Sequence, residues 1–228
     1  EVKIYDRPLT ADEIKTKYDE IATQPQSQEP IAYWNFDEGS GTIAVDSSGN
    51  GNNGKIIGNP AWVDGIKGKA LEFDGPNKYA NMPLVTSKTK DVSIEAWVYS
   101  KAAFQRGHII YVGTYKVNGY GIEVSDGGCA EGDKIAVIAH KVACDLVGAN
   151  YLLPVNQWVY LVLTSEGNSW SLYVDGELKK SSVSPPPLEP TAGIPIGLGT
   201  IGYAVFTGLV DEVKIYNRPL TADEIKTK

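Results

Sequence analysis

The chain of 228 residues is 42% hydrophobic and 21% charged, with a formal net charge of −7, a composition that suits a folded β domain with a buried core and excludes disorder as its main state. An acidic balance with no Lys/Arg stripe repels a phosphate backbone, which argues against nucleic acid as a partner. No run approaches the roughly 18 apolar residues of a membrane helix, so no membrane insertion is expected, and Glu1-Val2-Lys3-Ile4-Tyr5 lacks the layout of a signal peptide, as when a leader has been removed or residue 1 is not a natural start.

Residues 1–17 recur at 212–228 with Asp6 becoming Asn217 as the one change, and self-similarity of that length is the signature of tandem modules. In each copy a threonine is followed three residues later by a glutamate, Thr10/Glu13 and Thr221/Glu224, the capping-box pattern that opens a short helix. Residues 1–22 therefore read as the last strand and helix of a preceding repeat, with Glu1–Tyr5 completing that repeat's sheet. Residues 23–30, polar and Pro-bounded, read as a linker, and residues 31–228 as a domain of their own.

Along that domain, Val92–Tyr99 alternates as a strand, and Ile109–Val112, Tyr120–Val124 and Lys134–Ala139 add three more between Gly/Asn/Asp turns. Trp158–Thr164 is a continuous apolar run suited to a central strand covered on both faces. Ser169–Val174, the turn Asp175-Gly176 and Glu177–Lys180 form a β-hairpin. Glu212–Tyr216 is a closing strand, followed by the one short helix at Pro219–Ile225. Many strands without βαβ alternation predict an all-β fold, a two-sheet antiparallel sandwich or jelly roll with a short C-terminal helix. Cys129 and Cys144 are expected to form one disulfide, as two thiols that meet in an oxidising compartment do, the alternative being two buried free thiols.

The successive stretches Tyr33–Gly41, Asp46–Gly54, Ala70–Gly75, Ser93–Val98 and Gly208–Thr221 resemble, in order and spacing, the signatures of the laminin-G-like, concanavalin A-like lectin/glucanase jelly-roll family. The resemblance runs from about Ile31 to Lys228. It implies a two-sheet sandwich of a secreted or surface-anchored protein, often with a structural calcium and often serving glycan or protein binding. In that family the ion ties the first strand and its following loop to the last strand, which implies Asp37 and Asp211 as carboxylate ligands and carbonyls of the Gly49–Asn53 turn, Asn52 among them, with Glu38 and Asp46 in reserve. A hard cation wants about six to eight oxygens, which these acid- and Gly/Asn-rich loops can offer. The same acids could instead cap turns.

Catalytic relatives of this fold place two or three carboxylates at alternate positions on one strand. Here Glu95 stands alone on its strand, Asp126 and Glu131 sit in a Gly-rich turn, and neither His108 nor His140 has a nucleophile to serve, each reading as a strand residue near the surface. No enzyme is expected. For a sugar site, Trp34, Trp97, Trp158 and Trp170 read as core, whereas Trp62, Tyr115, Tyr120, Tyr151 and Tyr203 are freer to face solvent and stack on a pyranose.

The reading that results is an extracellular or cell-surface structural and adhesive module, calcium-stabilised, whose partners are neighbouring copies of itself in a covalent array or a head-to-tail polymer. A calcium-dependent carbohydrate-binding module with glycans as partners is the alternative, and a glycan-active enzyme comes third.

Overall fold

The computed structural model describes residues 5–22, 29–83, 91–103, 107–114, 118–125, 134–139, 146–183, 196–198, 200–201 and 204–228. Its elements run α1 (Ala11–Ala22), β1 (Ala32–Trp34), β2 (Ile43–Ala44), β3 (Gly54–Ile57), β4 (Ala61–Asp64), β5 (Lys69–Phe73), β6 (Tyr79–Met82), β7 (Val92–Ser100), β8 (Gly107–Thr114) and β9 (Asn118–Ser125). They continue β10 (Lys134–Ala139), β11 (Leu146–Leu152), β12 (Trp158–Glu166), β13 (Ser169–Val174), β14 (Glu177–Val183), β15 (Ile196–Leu198), β16 (Thr200–Ile201), β17 (Ala204–Val205), β18 (Gly208–Tyr216) and α2 (Ala222–Lys226).

The strands form two eight-stranded sheets and a small hairpin, β16 with β17. The first sheet runs β14-β13-β12-β7-β18-β5-β4 with β1 also on β18; the second runs β11-β10-β9-β8-β15-β6-β3-β2. The pairings between these strands are antiparallel, as expected for a sandwich without crossover helices. Side chains of alternate positions meet between the sheets: Trp34, Phe36, Phe73, Ile110, Ile122 and Trp170 are fully buried there. Burial of such large apolar side chains, each contributing about 1.5–3 kcal/mol, holds the two layers together.

Strand β12 accounts for its unbroken apolar run. Val159, Leu161 and Leu163 face the main core, while Tyr160 and Val162 face the other way into a second, smaller core with Tyr216, Leu220 and Ile225. The short helix α2 is thus the lid of the first sheet's outer face. Its start is the expected capping box: Thr221 accepts from Glu224 N–H, and Glu224 accepts from Thr221 N–H. The hairpin turn Asp175-Gly176 has φ of 49° and 80°, the doubly left-handed geometry that Asp-Gly favours.

The closing strand β18 carries a bulge. Glu212 has φ of 52° and the register against β7 shifts between Asp211 and Lys214. The extra residue lets both Val210 and Val213 enter the core, and it turns Asp211 and Glu212 toward partners described below.

Candidate functional site

The acids expected to bind calcium lie in three places. Asp46 sits in the loop after β2, where its Oδ1 accepts from Tyr33 N–H at 3.0 Å and Ser48 N–H at 2.9 Å, and its Oδ2 from Asn52 N–H at 2.8 Å. Burial opposes its charge, and these bonds outweigh that, so the carboxyl titrates below its ordinary value. Asn52 is also committed: its carbonyl accepts from Trp34 Nε1–H at 2.9 Å and its Nδ2 donates to Ile31 O at 3.0 Å. The Asp-Ser-Ser-Gly-Asn pattern is therefore a loop knitted to β1, with Gly49 and Gly51 at positive φ.

Asp37 and Asp211, which the resemblance implied as calcium ligands, approach the Gly65–Lys69 turn between β4 and β5 from two sides. Asp37 Oδ1 accepts from Lys69 N–H at 2.9 Å. Asp211 Oδ2 accepts from Ile66 N–H at 3.0 Å and Lys67 N–H at 3.2 Å, and its Oδ1 from Glu212 N–H at 2.7 Å. Asp211 is fully buried, and burial pushes its carboxyl up to about 6 even against those bonds. Two carboxylates on backbone N–H groups thus join the loop after β1 to the last strand, the link a cation was expected to make. Glu38 differs. Its Oε1 accepts from Val45 N–H at 2.6 Å, while its Oε2 is buried with no hydrogen-bond partner in the structure described. Among the described residues no cluster of three or more His, Cys, Asp or Glu side chains is arranged to hold a metal.

The expected sugar-stacking residues are scattered. Tyr120, expected to face solvent, is a core residue of β9, 2% exposed, with its ring tilted against that of Trp170 at 5.4 Å; the strand's alternation turns it inward. Trp62, on β4, lies opposite Leu71, whose side chain is in the core, and packs against that core. Tyr151, at the end of β11, also packs on the core and has Lys179 Nζ 5.5 Å from its ring centre. Tyr115 and Tyr203 lie outside the described residues, as do Cys129, Cys144 and His140. His108 corrects another expectation: it is 2% exposed on β8, 3.2 Å from Glu123 Oε2, because β8 is an interior strand of the second sheet.

The outer face of the first sheet is where the structure gathers Trp97 and Trp158, which sequence reasoning assigned to the core, together with Tyr99, Tyr160 and Tyr173. Register places Glu72, Leu209, Tyr99 and Trp158 in one row across β5, β18, β7 and β12. The next row holds Asp211, Trp97 and Tyr160, and the next Lys214, Glu95, Val162 and Tyr173. Helix α2 covers the Glu95 end, leaving the other end, Trp97, Tyr99 and Trp158, partly exposed. These rings pair: Trp97 with Tyr160 at 5.2 Å, Tyr99 with Trp158 edge-on at 5.5 Å. Glu72 at the row's end is joined to Lys101 by an ion pair.

At the covered end Glu95 is fully buried and accepts from three donors, Tyr160 OH at 2.7 Å, Lys214 Nζ at 3.0 Å and Tyr216 OH at 3.2 Å, with the Lys228 ammonium 3.7 Å away. Burial first, and then the Glu95 charge, push both tyrosine hydroxyls well above their ordinary value. A cleft of about 370 Å³ beside this cluster is bordered by Pro30, Tyr33, Tyr216, Arg218 and Lys228. Its charges are compensated within the protein, since Arg218 forks onto Glu224 at 2.9 and 2.7 Å and Lys214 also lies 3.7 Å from Glu212.

The sequence profile of the concanavalin A-like lectin/glucanases superfamily matches residues 74–226, more than half of the chain. The chain belongs to that superfamily. Among curated proteins none matches it. Among solved structures it is similar to domain 4 of AbnA, a GH43 extracellular arabinanase from Geobacillus stearothermophilus, in complex with arabinotriose. The identity is 23%, the TM-score 0.71, and the match covers 87% of this chain and 97% of that one. It is also similar to the binding domain of botulinum neurotoxin serotype D, at 15% identity and TM-score 0.66, and to that of Paraclostridial Mosquitocidal Protein 1, at 14% and 0.67. Each toxin match covers 87% of this chain but 51% of the toxin domain, so the chain spans about half their length. At these identities the likeness shows the fold, and fold by itself does not carry function. No helix among the described residues is long and apolar enough to cross a membrane.

Proposed function

We propose that this chain is an adhesive, non-catalytic module of an extracellular protein that binds glycan on the outer face of its first sheet. The observation that carries the reading is the open end of that face, where Tyr99 and Trp158 form a partly exposed aromatic pair beside Trp97. A ring face packs on the apolar face of a sugar, and the adjoining Glu72–Lys101 pair supplies an acceptor and a donor for its hydroxyls. Domain 4 of an extracellular arabinanase, with arabinotriose bound, is a relative in fold that is consistent with this class of ligand. The non-catalytic reading rests on Glu95, the buried carboxylate of β7, whose three donors and the nearby Lys228 ammonium hold it as part of the packing rather than as an acid awaiting substrate.

A glycan array followed by calorimetric titration of the best binder, with arabinotriose as one probe, tests the proposal. Tyr99→Ala and Trp158→Ala should each lower affinity at least tenfold with the fold intact, while Trp62→Ala should leave affinity unchanged. No binding to any glycan, or binding that survives both substitutions, overturns the reading.

The orphaned Glu38 Oε2 favours one further element of the proposal, a structural calcium. The engaged oxygens of Asp37, Asp46 and Asp211 fit such an ion less well, so Glu38 is the side chain that would hold it, and its role would be to stabilise the loop between β1 and β2. Chelator should then lower the melting temperature of the wild type and leave that of Glu38→Gln unmoved. A wild-type melting curve indifferent to chelator removes calcium from the proposal.

A further inference from the structure

The duplicated segment makes the same capping and ion-pair contacts in both places, although α1 runs on to Ala22 and α2 ends at Lys226. In the second copy Arg218 forks onto Glu224, which also closes the capping box with Thr221, and Lys228 Nζ lies 5.7 Å from the Tyr216 ring centre. In the first copy Arg7 forks onto Glu13, Glu13 closes the box with Thr10, and Lys17 Nζ lies 5.3 Å from the Tyr5 ring centre. The arginine, with the capping threonine, holds each glutamate down to about 2. Strong local bonding makes the motif form wherever its sequence stands.

What differs is the surroundings. Tyr216, Leu220 and Ile225 are 1%, 4% and 1% exposed because they cover the outer face of the first sheet. Their counterparts are Tyr5, Leu9 and Ile14; Tyr5 is 39% and Ile14 56% exposed, and Leu9 is only partly buried. Among the described residues a surface complementary to such a face is present in the same molecule, covered there by the second copy. That surface is the strip of Trp97, Tyr160, Val162 and Tyr173 with Glu95 at its centre, on which the second copy sits. Even the polar match carries over: Tyr5 and Lys17 stand where Tyr216 and Lys228 reach the Glu95 carboxylate.

We propose that Tyr5–Lys17 is a docking element for the outer face of the first sheet of a second copy of this chain, where it takes the seat of Tyr216–Lys228. The docking helix is capped before it binds, so the cost of docking lies in displacing the resident segment, whose Tyr216 ends β18 against Ser93 of β7. In a complete copy the resident segment holds the seat through its high effective concentration, so docking in trans emerges when that segment is loosened. Linked head to tail in this way, copies form a chain, because the donor and acceptor surfaces are different patches of the molecule.

The test uses the full chain and sedimentation across a concentration series. Leu220→Ala with Ile225→Ala loosens the resident segment and should shift the protein from wild-type behaviour to reversible association, with a dissociation constant at least tenfold lower. Adding Leu9→Ala with Ile14→Ala, on residues that are not buried, should restore wild-type behaviour. Thr221→Ala with Glu224→Ala loosens α2 from its exposed start without touching the covered strip, and gives the same readout where the first pair fails to fold. Folded loosened variants that associate no more than wild type, or association that persists after the Leu9 and Ile14 substitutions, overturn the proposal. The glycan site does not enter this test, so its outcome is independent of that reading.

Discussion

Removing the buried carboxylate of Glu95 should be among the most damaging single changes to this fold. Glu95→Ala leaves Lys214, whose side chain is 18% exposed, without its 3.0 Å partner, and leaves the Tyr160 hydroxyl without its 2.7 Å acceptor. Breaking one side of a buried ion pair costs about 3–5 kcal/mol, and an unsatisfied buried hydroxyl adds about 1–3 kcal/mol, though the two losses overlap. The expected cost is about 5 kcal/mol. For a domain of this size that lowers the melting temperature by about 10–20 °C. Glu95→Gln keeps the volume and one acceptor and should cost about 2 kcal/mol. Glu95→Leu with Lys214→Met, Tyr160→Phe and Tyr216→Phe, which removes the carboxylate together with its Lys214 partner and the two tyrosine hydroxyls that donate to it, should recover most of the loss, because the pair's attraction is largely cancelled by its desolvation. Urea unfolding at pH 7, with equal slopes across the series, is the assay. A loss under about 1 kcal/mol for Glu95→Ala would refute the reasoning, by showing that water reaches the cluster and satisfies what the carboxylate leaves behind.

Asp211 gives a pH dependence of unusual sign. Its carboxyl is raised to about 6 by burial, so the folded state holds the proton more tightly than the unfolded chain, and ionised Asp211 opposes folding fully above about pH 6. That opposition is relieved as pH falls from 6 toward the ordinary carboxylate value, and Asp211→Asn should flatten stability between about pH 6 and pH 4, measured by urea unfolding in chelator; equal slopes in both proteins would sink the claim. Glu224 acts the other way, since Arg218 holds it down to about 2: its contribution is present above about pH 4.5 and lost as pH falls toward 2, so Glu224→Gln should reduce acid sensitivity in that lower window alone. Gly68→Ala should cost about 2 kcal/mol or more, because φ is +63° and the new Cβ would stand 1.8 Å from Asp37 Oδ1. Gly49→Ala, at φ +84° with nothing within 4 Å of its Cβ, should cost only the left-handed backbone penalty of about 1 kcal/mol. Equal losses at the two sites would show that Asp37 yields freely.

Where chemistry is local, the amino-acid order was enough. Thr221 and Glu224 stand three apart, so their capping box forms within one turn, and Thr10 with Glu13 repeats it. Asp175-Gly176 makes its turn for the same reason, and the two-sided burial of β12 follows from an apolar run that no half-exposed strand carries. Alternation shows that two faces exist without showing what covers each. Trp97 and Trp158 therefore read as core, yet they stand on the outer face, where the α2 segment packs against Trp97 and leaves both rings partly exposed, while Tyr120, read as solvent-facing, points inward. Glu95 looked like a solitary acid because its partners Tyr160, Lys214, Tyr216 and Lys228 are brought to it from β12, β18 and the chain's last turn. Asp37 and Asp211 are distant in sequence, and only the pairing of β18 with β5 and the fold of the turn beside it decided that both would meet backbone N–H groups. Local hydrogen bonds need only neighbours in the chain, whereas the sign of a face and the partner of a buried charge depend on which sheet packs where.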